Sequence, residues 1–332
     1  MTLVRSNAPA CRRPANRPGC DRRGRSGSCQ ARKILPQDAV LAASALAPPA
    51  QYENVVFAGG GNRCFWQAGF WSVAADALDL RPQRVRAVSA GAAIACTLFS
   101  GNFNAGFEQY KRALAANDSN FRLGNLLRDE PVFPHGNMYR AAILASIDGP
   151  GLRRMQQGPE ISVLVACPPD WASPGLALLL GMIAGGVDEW GNECVHSNFG
   201  SRIGFRPMFI SVRECATPDS LADLIIASSC IPPLTPQAVR NGICLLDGGV
   251  VSTVPIEGLT EDQGQTLVLL TRRFVALPSV PGRTYVQPSQ AIPANAWDYT
   301  DEAAVQLTFD LGRRDGERFC AALASRRGRA AA

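Results

Sequence analysis

The chain has 332 residues, and 46% of them are hydrophobic, which is enough to bury a large core. Its formal net charge is +5, but nine basic residues and a single acid fall within the first 33 positions, so the rest of the chain is near neutral. A near-neutral body lacks the basic face that nucleic-acid binding requires, and we exclude that class of protein.

Cysteine usage and hydropathy give expectations about the compartment. The 11 cysteines are scattered between Cys11 and Cys320 without CxxC pairs, so neither a zinc site nor a disulfide framework is indicated. No apolar run reaches the ~18 residues of a membrane-spanning helix. The apolar segment 39–47 resembles part of a signal peptide, but Asp38 and the long Arg-rich lead oppose secretion. We expect a cytoplasmic protein, with or without peripheral membrane contact.

Residues 1–50 differ in composition from the rest of the chain. They mix Arg, Pro, Ser and Gly without apolar periodicity, which is typical of a disordered leader. A start codon assigned too far upstream would explain the same composition. Regular periodicity begins at Asn54, so we predict one domain over residues 51–320 and a flexible tail over residues 321–332.

The domain alternates strand-like and helix-like segments. Short β-branched and aromatic runs predict strands, and Ala- and Leu-rich stretches predict helices. In chain order these are a strand at 54–58, a helix at 67–80, a strand at 85–88, a helix at 90–100, strands at 161–166 and 208–213, a helix at 221–229, and strands at 243–246 and 266–271. This alternation favours an α/β fold with a central, mostly parallel sheet flanked by helices.

Three glycines follow the first predicted strand and precede the first predicted helix. In the order of the chain, the segment reads Gly59, Gly60, Gly61, Asn62 and Arg63. Consecutive glycines let backbone amides converge on an anion, and a helix N-terminus adds a favourable dipole. Neither the G-x-G-x-x-G nor the P-loop pattern is complete, so an oxyanion hole is favoured over a phosphate site. A plain strand-to-helix turn is the alternative.

Ser89 stands where the second predicted strand meets the following helix. Small residues at Ala87 and Gly91 permit the sharp turn of a nucleophile elbow, which presents a serine hydroxyl for attack on an ester. Ala87 occupies the first of these positions, where glycine is usual. A serine that only caps the following helix explains the local pattern equally well.

Asp247 ends an apolar strand and is followed by two glycines. Such an aspartate can orient or deprotonate a hydroxyl, although Asp-Gly alone more often marks a turn. The two histidines, His135 and His196, both precede Asp247, whereas an α/β-hydrolase triad places its histidine after the acid. A serine hydrolase built from this sequence must therefore use a carboxylate directly as its base, and we expect both histidines to be surface or packing residues.

Four blocks, in this chain order, resemble the patatin-like phospholipase family of serine acyl hydrolases. They are residues 59–64 with Gly69, which resemble its oxyanion loop; residues 88–91, its nucleophile turn; residues 227–233, the helix-to-proline segment before its aspartate; and residues 247–249, its acid motif. Independent occurrence of all four in order would be improbable. The resemblance extends from about Asn54 to Gly312. Cys64, where glycine is common, and Ala87 depart from the family pattern.

The resemblance implies an α/β domain with a Ser-Asp dyad that hydrolyses fatty acyl esters without a metal or cofactor. Ser89 would attack the carbonyl carbon, and Asp247 would take the hydroxyl proton and later activate the hydrolytic water. The residues that would hold the oxyanion are Gly59, Gly60, Gly61 and Arg63, of which Arg63 would steady the loop or meet a head group. The implied partner is a lipid or phospholipid, with no indication of an oligomeric state.

Two other functions use the same residues. A lipid-binding or regulatory protein could keep this fold without turnover, which the departures at Cys64 and Ala87 would explain. An acyltransferase would use the same dyad and pass the acyl group to an alcohol. The apolar segment 176–187, flanked by Trp171 and Trp190, is either a lipid-facing lid or a buried helix.

Overall fold

The computed structural model describes residues 51–121, 135–169, 171, 195–196, 199–231, 238–240 and 242–331. Three regions discussed above lie outside the described residues, namely the leader over residues 1–50, the apolar segment 176–187 with Trp190, and the prolines that follow Ile231.

The helices and strands of the described residues are β1 (Asn54–Phe57), α1 (Phe65–Ala77), β2 (Arg84–Val88), α2 (Ala90–Ser100), α3 (Phe103–Ala115), α4 (His135–Ser146), α5 (Gly149–Gln157), β3 (Glu160–Cys167), α6 (Phe199–Arg202), β4 (Arg206–Ser211), α7 (Pro218–Ser228), β5 (Ala238–Arg240), β6 (Ile243–Asp247), β7 (Thr266–Leu269), β8 (Arg283–Val286) and α8 (Glu302–Ala331). Every strand and helix named above is present, with ends shifted by a few residues. The helices α3, α4, α5, α6 and α8 and the strands β5 and β8 were not among them.

One mixed sheet forms the centre of the domain. Its hydrogen-bonded neighbours run in the order β5-β6-β3-β2-β1-β7-β8, and β4 also pairs with β3. Parallel pairs join β3, β2, β1, β7 and β8, whereas β4 and β6 run antiparallel to β3 and β5 runs antiparallel to β6. The prediction of an α/β fold with a mostly parallel sheet flanked by helices is confirmed.

The central strands are apolar on both faces because both faces of the sheet are covered. Val55 and Phe57 pack against helices, whereas Val56 and Ala58 pack against loop residues such as Val254. All residues of β1 and β7 are buried, and β3 is buried from Ile161 to Cys167. Continuous burial of this kind is typical of parallel strands in α/β proteins. Within the part of the chain that the structure describes, no helix has both the length and the apolar character to cross a bilayer.

The long helix α8 packs directly on α1. A Cβ atom on Gly69 would collide with the Phe309 carbonyl oxygen, and one on Gly312 would collide with the Trp66 carbonyl oxygen, so the two backbones touch. The Trp66 indole Nε1 donates to the buried Asp315 carboxylate at 2.9 Å across this contact. Gly69, grouped above with the oxyanion loop, therefore has a packing role.

The residues for which we predicted a flexible tail belong to helix α8 as far as Ala331. Leu323 within this helix is buried in the core. Burial of an apolar side chain stabilises the ordered helix, which explains why residues 321–331 are helical.

Replacement of Gly312 by alanine should lower thermal stability, because the added methyl forces α1 and α8 apart. We expect a Tm loss of roughly 5 °C, since overpacking costs about 1–3 kcal/mol and each kcal/mol shifts Tm by a few degrees. The matched control is Gly136→Ala in α4, where a Cβ would meet no atom within 4 Å. Equal melting temperatures for the two variants in a thermal scan would contradict this packing.

Candidate active site

Ser89 lies in a strained turn between β2 and α2. Its backbone has φ 53 and ψ −135, a left-handed conformation that is costly for a residue with a side chain. The Ser89 side chain makes no capping hydrogen bond to α2, so the geometry does not support the helix-cap alternative. A strained serine at a strand-to-helix turn has the geometry of a nucleophile elbow.

The residues on either side of Ser89 explain how this turn closes. A Cβ on Gly91 would collide with the Ala58 carbonyl oxygen, so only glycine fits two residues after the serine. Ala87 lies inside the sheet, level with Phe57 on β1 and Val163 on β3, and is fully buried. Its methyl group is accommodated there, so the departure from glycine leaves the turn intact.

The pairing of β3 brings Ser89 and Asp247 together. Residues 162–164 of β3 pair with both β2 and β4, and residues 165–166 pair with both β4 and β6. A strand has two edges, so β2 and β6 must share the edge opposite β4. They meet end to end there, since Val88 is level with Leu164 and Asp247 is level with the next residue, Val165.

The two side chains form a direct hydrogen bond. Ser89 Oγ donates to Asp247 Oδ2 at 2.8 Å, and the Gly249 amide donates to Asp247 Oδ1 at 2.7 Å. Their exposed fractions are only 8% for Ser89 and 6% for Asp247, so little water competes for these bonds. The carboxylate is thereby oriented on both oxygens, with one oxygen directed at the serine hydroxyl.

A second chain of hydrogen bonds fixes the Ser89 backbone. The Ser89 amide donates to Ser228 Oγ at 2.8 Å, and the Ser228 hydroxyl donates to the Leu164 carbonyl oxygen at 2.6 Å. Ser228 ends α7, within the segment that sequence analysis placed ahead of the aspartate. That segment therefore connects the nucleophile turn to β3.

Burial raises the pKa of Asp247 to about 6, and the hydrogen bonds from Gly249 and Ser89 oppose this shift only in part. The carboxylate is thus largely ionised at neutral pH, yet it is a stronger base than an exposed aspartate. A general base works best when its pKa lies near the operating pH. The environment of Asp247 therefore suits proton abstraction from Ser89.

If Asp247 is the base, catalysis should require its ionised form. We expect kcat/KM for a soluble ester to rise with pH through a midpoint near 6, because the free enzyme must lose the Asp247 proton. A pH–rate profile from pH 4.5 to 8.5 with a pH-stable substrate measures this midpoint. A profile that is flat below pH 6 would exclude Asp247 as the titrating base.

The same shift predicts that Asp247→Asn stabilises the fold at neutral pH. The folded pKa of about 6 lies above the unfolded value of about 3.9, so the contribution of Asp247 to stability falls as pH rises through 6. The variant should melt several degrees above wild type at pH 8, and the difference should shrink toward pH 4. The control is Asp79→Asn, whose side chain is 77% exposed. An unchanged or lower Tm for Asp247→Asn at pH 8 would contradict the cost of burying this charge.

The three amides of the glycine loop differ in whether they are hydrogen-bonded. The Gly59 amide donates to the Thr253 carbonyl oxygen at 2.9 Å, whereas those of Gly60 and Gly61 donate to no described residue. Gly61 adopts φ 56, and a Cβ there would collide with the Ala296 carbonyl oxygen. Of the three predicted glycines, Gly60 and Gly61 thus have amides available for an oxyanion, while the Gly59 amide is engaged.

Arg63 is hydrogen-bonded to the glycine loop. Its backbone amide donates to the Gly60 carbonyl oxygen at 3.2 Å, and its Nε donates to the same oxygen at 3.1 Å. These contacts agree with a loop-steadying role for Arg63. Both of these bonds are to the Gly60 carbonyl oxygen. In a trans peptide this oxygen points away from the Gly61 amide, which is one of the amides available for an oxyanion.

Sequence analysis assigned no role to two residues beside the loop. Asn62 is buried; its Nδ2 donates to the Asp298 carbonyl oxygen at 2.6 Å, and its Oδ1 accepts from the Tyr110 hydroxyl at 2.7 Å. The Ala90 amide at the start of α2 donates to no described residue, and in a nucleophile elbow this amide commonly faces the oxyanion. The elbow motif could have identified Ala90, but the long-range partners of Asn62 left no local signal.

Ser89 and Asp247 lie in the wall of a cavity of about 580 Å³, which we call the outer cavity. A neighbouring space of about 60 Å³, the inner cavity, lies between α2, α3 and α4. The residues that line both cavities are Gly61, Asn62, Ala90, Tyr110 and Tyr139. An ester bound at Ser89 could therefore extend in two directions.

Neither histidine is hydrogen-bonded to the serine among the described contacts. His135 lines the outer cavity and stacks on Tyr299 with ring centroids 4.7 Å apart, while burial lowers its pKa. His196 shares a 2.8 Å hydrogen bond with the Tyr285 hydroxyl. Both therefore have packing partners, although the place of His135 in the cavity wall was not foreseen.

Cys64 is a buried packing residue. Its Sγ donates a weak hydrogen bond to the Ala58 carbonyl oxygen at 3.5 Å, and burial raises its pKa. Such a thiol is held neutral, which makes it unreactive. Across the described ranges, no three His, Cys, Asp or Glu side chains are grouped as metal ligands would be.

Comparisons with known proteins yield one family. A family model described as "Patatin-like phospholipase" matches residues 55–260, which is more than half of the chain and includes both Ser89 and Asp247. No curated protein matches the sequence. Among solved structures, the crystal structure of VipD from Legionella pneumophila aligns with a TM-score of 0.39 and 10% identity, over 83% of this chain and 68% of that chain. That likeness is too low to support a functional comparison.

Proposed function

The chain belongs to the patatin-like phospholipase family, and from this premise we propose that it hydrolyses fatty acyl esters with Ser89 as nucleophile and Asp247 as base. Membership of the family implies lipid acyl hydrolysis. The assignment of the dyad depends chiefly on the 2.8 Å hydrogen bond between Ser89 Oγ and Asp247 Oδ2.

The first half of the proposed reaction forms an acyl-enzyme. Asp247 removes the hydroxyl proton as Ser89 Oγ attacks the carbonyl carbon, and the carbonyl oxygen becomes an oxyanion. When the tetrahedral intermediate collapses, protonated Asp247 returns the proton to the departing alcohol. The raised pKa of Asp247 supports both steps, because the same carboxyl group must accept and then release a proton near neutral pH.

Amides at the elbow and at the glycine loop are suited to stabilise the oxyanion. The amides of Gly60, Gly61 and Ala90 make no hydrogen bonds within the described residues, and Gly61 and Ala90 both line the cavity beside Ser89. Preorganised donors of this type each contribute about 3–4 kcal/mol to transition-state stabilisation. We assign the oxyanion to this set of amides, with Arg63 and Asn62 holding the loop in place.

In the second half of the reaction, a water molecule replaces the alcohol. Asp247 removes a proton from the water, hydroxide attacks the acyl carbon, and Ser89 leaves with the proton that Asp247 returns. This cycle needs no redox change and no additional reactant. If an alcohol occupies the same position, the product is a new ester, and the protein is an acyltransferase.

Peripheral contact with a lipid surface is part of the proposal. Val239 and Trp297 line the outer cavity and are exposed to 63% and 41%, respectively. Apolar and amphipathic side chains at the rim of a cavity suit contact with an assembled lipid. Trp171, which is 66% exposed, is a further candidate for such contact.

The test compares wild type with Ser89→Ala and Asp247→Asn, using a fluorophosphonate probe and a series of p-nitrophenyl acyl esters. Ser89→Ala should lose covalent labelling, and Asp247→Asn should lower kcat by about 10²–10⁴-fold, as expected for loss of a general base. Ser72→Ala is the control, because Ser72 lies in α1, lines neither cavity, and donates its hydroxyl to the Gly69 carbonyl oxygen at 2.8 Å.

Three outcomes of this test would redirect the proposal. Turnover that persists in Ser89→Ala would contradict the dyad. A wild-type protein that neither labels nor cleaves any ester would contradict hydrolysis and leave lipid binding as the function. Ester formation with an added alcohol, in excess of free fatty acid, would replace hydrolysis by acyl transfer.

A further inference from the structure

The inner cavity begins next to Ser89, at the residue that follows it. Ala90, the residue that follows Ser89, lines both cavities, and so does Gly61 on the glycine loop. From Ala90 the inner cavity follows α2 as far as Thr97. Seven residues of α-helix span about 10 Å, which is about the length of an eight-carbon chain.

Three helices give this cavity apolar walls. These helices contribute Ala93 and Ile94 from α2, Phe103 and Phe107 from α3, and Ala142 and Ile143 from α4, and Phe65 at the start of α1 also lines the cavity. Phe103 and Phe107 stack on each other with centroids 5.3 Å apart, which makes one wall aromatic. A space with such walls favours a hydrocarbon ligand.

The polar groups that border the inner cavity already have partners. Thr97 Oγ1 donates to the Ala93 carbonyl oxygen at 2.8 Å, and the Tyr110 hydroxyl donates to Asn62 at 2.7 Å. The Tyr139 hydroxyl is hydrogen-bonded to Ser229 at 3.2 Å. A polar ligand would have to compete with these bonds, whereas an alkyl chain would leave them intact.

Close packing of α3 on α4 limits the depth of this space. A Cβ on Gly106 would collide with the Ser146 hydroxyl oxygen and the Ala142 carbonyl oxygen, so the two helices touch where these residues line the cavity. The volume of about 60 Å³ corresponds to roughly four to six water-sized groups at about 10–15 Å³ each. A long fatty chain would not fit without movement of these helices.

We propose that the inner cavity binds the acyl chain of the substrate and selects esters whose acyl chains have about four to eight carbons. This inference rests on the proposed function, because it requires an acyl group on Ser89. The alcohol part of the ester then occupies the outer cavity, which at about 580 Å³ has room for a glycerol-based group.

Two variants change the inner cavity in opposite directions. Ala142→Leu adds side-chain volume to the space between α3 and α4, and Ile143→Ala removes volume from the same wall. The matched control is Ile147→Ala, which makes the same truncation at a buried isoleucine that lines neither cavity. Both truncations should destabilise the fold similarly, so a change in chain-length preference that is confined to Ile143→Ala reports the cavity.

The measured quantity is kcat/KM for p-nitrophenyl esters from acetyl to palmitoyl, each divided by the acetyl value of the same protein. Wild type should be fastest between butanoyl and octanoyl. Ala142→Leu should lower the octanoyl-to-acetyl ratio at least tenfold, since each methylene in a pocket is worth about 10-fold or more. Ile143→Ala should move the optimum to longer chains, and Ile147→Ala should keep the wild-type ratios.

Ratios that are unchanged in both cavity variants, or a wild-type optimum at palmitoyl, would overturn the inference and leave the proposed hydrolase intact. Failure of the proposed function would look different, because no acyl ester would then be cleaved at all. Fluorophosphonate labelling of each variant gives the fraction of folded sites, so loss of folding is not mistaken for loss of selectivity.

Discussion

The buried carboxylate of Asp247 is the group on which the site depends. A charge in the interior is costly unless it is hydrogen-bonded, and here the Gly249 amide and the Ser89 hydroxyl each donate to one of its oxygens. The remaining cost appears as the raised pKa of Asp247. The hydrogen bond proposed to activate Ser89 is thus one of the two that make the buried charge of Asp247 tolerable.

Ser89 and Asp247 meet because β2 and β6 both pair with β3. β2 and β6 lie end to end along a single edge of β3, so the residue that ends β6 meets the residue that follows β2. Ser89 accepts a left-handed backbone at that junction, and its amide is held by Ser228. The strained backbone of Ser89 is therefore held by hydrogen bonds that involve α7, β6 and β3. The glycine loop after β1 lies beside Ser89 because β1 pairs with β2.

Features with a local signature could be predicted from the sequence. The strands around Ser89 and Asp247, the glycine loop and the absence of a histidine after the acid all leave a pattern within a few residues. Features made by distant partners could not: the contact of Asn62 with Tyr110, and the stacking of His135 on Tyr299, join segments with no common motif. The packing role of Gly69 could not be predicted for the same reason, since its contact is with α8, far along the chain. The unpredicted helices α3 and α4 form the inner cavity, so ligand selectivity could not be inferred from the motifs.

The central claim is that a carboxylate alone activates Ser89, and a variant without histidines tests it most directly. Fluorophosphonate labelling of His135→Gln/His196→Gln, followed across pH and assigned to a residue by mass spectrometry, should remain on Ser89 with a midpoint near 6. Labelling should be lost in Asp247→Asn. Loss of labelling in the folded variant without histidines, or its persistence at the wild-type rate in Asp247→Asn, would contradict the account.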